Sequence, residues 1–111
     1  MSVHQTLDAS LRRLEAAMKA ADLWRVREPE AQAFESRQPF CIDTMELPQW
    51  LRFVFIPRLD ALIDAKAPLP SRCDVAPAAH VYLKQIHAKP SQFLLVVRAI
   101  EEVDRTITQA D

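Results

Sequence analysis

Residues 49–58, Gln49-Trp50-Leu51-Arg52-Phe53-Val54-Phe55-Ile56-Pro57-Arg58, decide the fold. Wound as a helix at about 100° per residue, Trp50, Leu51, Phe53, Val54, Phe55 and Ile56 point nearly all round the axis. Gln49 and Arg52 alone leave a polar edge. A helix apolar on every side is a buried helix, so other helices must pack against it. Pro48 suits a first turn, where its missing N–H loses little. Asp43 and Glu46 have capping-box spacing, with Asp43 in place of the usual Ser or Thr, and Thr44 is a competing N-cap. This second helix is expected to start near Thr44 to Pro48 and run to about Lys66. A kink is expected at Pro57, which deprives the carbonyl near Phe53 of its partner.

Working towards the N-terminus, Val3, Leu7, Leu11, Leu14, Met18 and Ala21 repeat at steps of four and three. They predict a first helix over roughly Val3 to Leu23 with one apolar stripe, closed by Trp24 against the core. Arg25 to Thr44 is the longest irregular stretch. It is polar at Arg25, Arg27, Glu28 and Glu30, then apolar at Phe34, Pro39, Phe40 and Ile42. A short extra helix near Pro29 to Phe34, followed by an extended strap packed on the core, accounts for it. A long loop in a compact domain also often has a role.

Towards the C-terminus, Pro68 and Pro70 stiffen a second connection, Ala67 to Ala76. Pro77 to about Ala88 reads as a third helix with Ala78, Val81, Tyr82 and Ile86 inward. Pro90 opens a fourth, Ser91 to about Gln109, whose stripe is Phe93, Val96, Val97, Ile100, Val103 and Ile107. Leu94 and Leu95 fall outside that stripe, which suggests cover on two sides at the start of this helix. The fold class is therefore all-α: a single domain over 1–111, a four-helix bundle, mostly antiparallel, with a long strap between the first and second helices.

Composition narrows the chemistry. The chain has no glycine and eight prolines. Hairpins usually draw on glycine for positive φ, and phosphate loops need it for close backbone approach, so β-rich folds and nucleotide loops are disfavoured. A net charge of −1 supplies no excess to neutralise phosphates, so nucleic-acid binding is not favoured. No segment has the apolar length of a membrane span. Arg12, Arg13 and Glu15 interrupt the N-terminal pattern and make it a poor signal peptide, so a cytoplasmic location is expected. Cys41 and Cys73 lack metal-type spacing and are expected as packed thiols.

The middle of the chain carries a resemblance. Pro39-Phe40-Cys41-Ile42-Asp43-Thr44-Met45, Gln49-Trp50-Leu51 and Ile56-Pro57-Arg58 resemble the signature of the YqcC-like family. Trp24-Arg25, Lys66-Ala67-Pro68-Leu69-Pro70 and Val75-Ala76-Pro77 are similar to it as well. The resemblance implies a small bacterial helical bundle with no established activity. It also implies a gene that often lies beside one for a tRNA pseudouridine synthase, and so a link to RNA modification.

No residue pattern sets up catalysis. His80 and His87 share nearly one face of the third helix, but Lys84 sits among them and no third ligand is visible, so no metal is expected. His4, in the first turn, is expected exposed. Asp43, Glu46, Cys41 and Ser36 lie close in sequence without a histidine base or an oxyanion donor. No cofactor is called for and the chain is not expected to be an enzyme. Aromatic residues and arginines around the second helix fit recognition better. Phe34, Phe40, Asp43, Trp50, Arg52, Phe53 and Arg58 are the candidate partner-binding residues, where the strap meets the second helix. The expected function is a non-catalytic interaction or accessory module, acting as a homodimer or on a protein partner. The alternative is an accessory factor in tRNA modification that contacts RNA or a pseudouridine synthase.

Overall fold

The structure, a computed structural model, describes residues 2–109. Helix α1 spans Val3–Ala20. Ser2 starts it with a capping box: its hydroxyl accepts the Gln5 N–H, and the Gln5 side chain accepts the Ser2 N–H. Leu7, Leu11, Leu14 and Met18 are fully buried, as the stripe requires. The helix ends before the expected Leu23 because Asp22 turns left-handed at φ 60°. The Leu23 N–H then reaches back to the Met18 carbonyl at 2.8 Å, closing a Schellman turn.

The second helix runs through α2 (Leu47–Trp50), a π-helical turn (Leu51–Phe55) and α3 (Ile56–Asp64) with helical dihedrals at each junction. Its N-cap is Glu46, not Asp43 or Thr44, because the turns at residues 39–45 delay the helix. The Glu46 N–H donates to Gln49 Oε1 at 2.8 Å. The break expected at Pro57 takes the form of the π turn. An ordinary α turn would drive the proline ring into the Phe53 carbonyl. The widened turn relieves that clash, and the Ile56 N–H bonds the Leu51 carbonyl five residues back.

Helix α4 spans Ala76–Gln85 and α5 spans Pro90–Thr108. Side-chain bonds fix how they pack. Arg13 pairs with Glu102, while Gln92 Nε2 donates to the Ala21 carbonyl, so α1 and α5 are antiparallel. Arg12 Nη2 meets both Asp60 oxygens at 2.7 and 2.9 Å, and His4 Nε2 lies 2.7 Å from the Ala67 carbonyl. Helix α3 therefore also runs against α1. Asp104 and Thr108 on α5 bond Cys73 and Val75 just ahead of α4, which makes that pair antiparallel too. The result is a four-helix bundle with a strap between its first two helices. Leu11, Leu14, Leu59, Leu83, Ile100 and Val103 lie in its core. Burial stabilises it by about 1.5–3 kcal/mol for each large aliphatic side chain.

Four local expectations change. Helix α4 stops at Gln85 and His87 takes φ 55°, so His80 and His87 share no helix face. His4 is half-buried against the Ala67 carbonyl rather than exposed. Leu94 and Leu95 are exposed, because no element covers the outer side of α5 there. The inward face of α4 is Val75, Ala79 and Leu83, whereas Val81 and Ile86 are 56% and 43% exposed. Two apolar stripes compete on that short helix, and packing on α5 selects the one that carries Leu83.

Candidate functional site

The strap carries the unusual backbone. Short 3₁₀ turns form at Ala31–Glu35 and Pro39–Cys41. Phe40 and Cys41 take positive φ in succession, 60° and 49°. Each costs about 1–2 kcal/mol without glycine. Side-chain bonds hold them there. Thr44 Oγ1 donates to the Ala33 carbonyl at 2.7 Å, and the Ser36 hydroxyl donates to the Asp43 carboxylate. Gln49 Nε2 donates to the Arg27 carbonyl at 2.9 Å.

This conformation covers the second helix. Phe40 meets Trp50 edge to face at 5.0 Å, and Trp50 stacks on Phe55 at 5.1 Å. Arg52 donates to the Trp24 carbonyl, and its guanidinium lies 4.6 Å from the Trp24 ring and 5.1 Å from the Phe53 ring. Leu51, Phe55 and Ile56 are buried, and Trp50, Phe53 and Val54 are half-buried. The apolar girth of this helix is thus largely shielded within one molecule.

The same conformation opens a groove of about 500 Å³ between the strap and α4. One wall is Pro39, Phe40, Ile42, Met45 and Leu47. The other is Ala78, Val81, Tyr82 and Gln85. Ile42, forced outward by the turn, is 71% exposed and Val81 is 56% exposed. Glu46 is the one carboxylate side chain in the lining, which holds no Lys or Arg. Tyr82 donates its phenol to Glu46 Oε2 at 3.3 Å. Burial and the Glu46 charge push the Tyr82 hydroxyl up to about 12, so it stays a donor.

A second, polar cleft lies at the start of α4, near Cys73, His80, Glu101 and Asp104. One of its carboxylates is already used: Asp104 accepts the N–H groups of Val75 and Ala76 and the Cys73 thiol. Burial, then Asp104, pushes Cys73 up to about 12, far from a nucleophile's range. Cys41 and Cys73 are both free. Among the described residues no cluster of three His, Cys, Asp or Glu is placed to hold a metal. None of the described helices is long and apolar enough to cross a membrane.

The candidate residues from the sequence separate into groups. Phe40 and Trp50 touch, and Phe40 also lines the groove. Arg52 touches both Phe53 and Trp24. Exposed Phe34 and Asp43 lie on the strap, joined through the Ser36 and Thr44 bonds. Arg58 stands exposed on α3 away from the groove lining. Sequence reasoning missed Ile42, Glu46, Val81 and Tyr82 as groove residues. The second apolar stripe of α4 was the available signal for the last two.

Comparison with known proteins places this geometry. A family profile described as tRNA pseudouridine synthase C matches residues 6–104. The "Uncharacterized protein YqcC" of Escherichia coli strain K12 is 38% identical over 104 residues, 94% of this chain and 93% of that protein. The chain belongs to the YqcC-like family. The solution NMR structure of E. coli YqcC superposes with a TM-score of 0.83 at 36% identity, over 100% of this chain and 92% of that one. An "Uncharacterized protein" of Haemophilus influenzae is 37% identical over 93 residues, 84% of this chain and 87% of that one. The tRNA pseudouridine synthase C of Pectobacterium carotovorum subsp. carotovorum is 41% identical over 70 residues. That match covers 63% of this YqcC-like chain but 19% of the synthase.

Proposed function

We propose that this chain is a non-catalytic accessory module that docks on a tRNA pseudouridine synthase. The observation that carries this reading is the YqcC-like stretch within a P. carotovorum protein named tRNA pseudouridine synthase C. Residence in one chain gives two modules an effective concentration in the millimolar range. Where they are separate chains, a docking surface must replace the link. The groove between the strap and α4 supports such a role, since exposed Ile42 and Val81 form a concave apolar surface lined by signature residues. Direct RNA contact has less support: net charge is −1, and Arg52 and Trp24 are engaged with each other.

The test is sedimentation velocity of the chain mixed with the tRNA pseudouridine synthase C from the same genome. A heterocomplex at micromolar concentration is expected. Separate sedimentation of the two at about 50 μM, some tenfold above typical transient affinities, overturns the reading. Adding tRNA alone to the chain checks the direct contact, which would weaken steeply with salt.

A further inference from the structure

We propose that the strap–α4 groove receives an amphipathic helix of a protein partner, with a Lys or Arg beside its apolar stripe paired to Glu46. This deepens the docking reading and rests on it for the groove's purpose, but not for the chemistry of the occupant. The groove walls are apolar, and Ile42 and Val81 offer large exposed side chains across it. That is the surface an apolar helix stripe fills. The charge pattern selects among apolar partners. Glu46 lines the groove, and no Lys or Arg among the described residues forms a salt bridge with it. Its polar neighbour on the opposite wall is the neutral, donating phenol of Tyr82. No basic side chain lines the groove. An acidic helix would leave Glu46 facing like charge, whereas a basic one gains a charge-assisted bond.

The strained pair Phe40 and Cys41 fits the same role. Their left-handed turn expels Ile42 from the core and sets it on the groove's edge, at 71% exposure. Strain of this kind persists where the exposed geometry is used.

Two probes test the proposal: an end-capped leucine–lysine helical peptide of about four turns and its leucine–glutamate counterpart. Affinities come from fluorescence anisotropy and location from amide NMR shifts. The lysine peptide is expected to bind at least about tenfold more tightly, with shifts at residues 39–47 and 78–85, and Glu46→Gln is expected to narrow that gap to about threefold. Ile42→Ser combined with Val81→Ser should weaken the lysine peptide about tenfold, and both positions are exposed enough to leave folding intact. Equal binding of the two peptides, shifts elsewhere, or no effect of the double variant overturns the proposal. So does a self-associated chain that the double variant dissociates, because the occupant is then a second copy. Synthase binding unaffected by the double variant overturns the groove while leaving the accessory role intact. Lysine-peptide binding in the groove without synthase binding does the reverse.

Discussion

Both carboxylate oxygens of Asp104, on α5, accept the backbone N–H of Val75 at 3.0 and 2.9 Å. One of them also takes the Ala76 N–H at 2.8 Å. The N-terminus of α4 is therefore capped by a residue of the next helix. The N-cap position itself is Val75, whose side chain cannot cap, and the Asp104 carboxylate supplies the negative charge the helix dipole favours.

Asp104→Ala should therefore cost about 1–2 kcal/mol, as other cap deletions do. Urea unfolding measures the loss, and hydrogen exchange should show faster opening at Val75 and Ala76 than in α1. Unchanged exchange at these two amides would remove Asp104 from its capping role.

Glycine-free sequence predicts few left-handed residues, yet Asp22, Phe40, Cys41, Lys66 and His87 all have positive φ. Asp22, Lys66 and His87 each sit just past a helix. In each turn the next residue's N–H bonds a carbonyl five residues back: Leu23 to Met18, Ala67 to Leu62, Ala88 to Leu83. The helices were legible from their stripes. Their ends were not, because the closing residues are ones that ordinarily avoid this conformation. Lys66→Gly should raise stability by up to about 1 kcal/mol, since its side chain is exposed and the strain relieved outweighs the added freedom of the unfolded chain. Phe40→Gly should not stabilise, since it also removes the contact with Trp50. A lower urea midpoint for Lys66→Gly would contradict this account.

The α1–α5 contact brings a pH dependence. The hydrogen bond from Arg13 holds the Glu102 carboxyl below its ordinary value, with help from the Arg13 charge and from the buried Ser10 hydroxyl. The folded value is lower than the unfolded one. The contribution is therefore present above the ordinary glutamate pKa of about 4.3 and is lost as pH falls through the lower folded value. Glu102→Gln should flatten the decline in unfolding midpoint as pH falls past the ordinary glutamate pKa of about 4.3. In Arg13→Ala, NMR titration should find Glu102 shifted upward. If Glu102 titrates identically with and without Arg13, the pair exerts no hold on it.

Helix α4 separates what the sequence could show about the site from what it could not. Its apolar residues fit two stripes about a third of a turn apart, Ala78-Val81-Tyr82 and Val75-Ala79-Leu83. Periodicity identifies a stripe but not which neighbour it meets, and the first is the face the pattern suggested for the core. Contacts from outside the helix decide the matter: Asp104 and Thr108 pin the residues ahead of α4 and turn Leu83, 1% exposed, into the core. The other stripe is left to the groove. Two substitutions of similar chemistry tell the orientations apart. Leu83→Ala should cost about 3 kcal/mol in urea unfolding, the loss expected when a core leucine leaves a partly collapsed cavity. Val81→Ala, more than half exposed, should stay within about 0.5 kcal/mol of the parent chain. The reverse order would place Val81 in the core, close the groove, and leave Ile42 without an opposing wall.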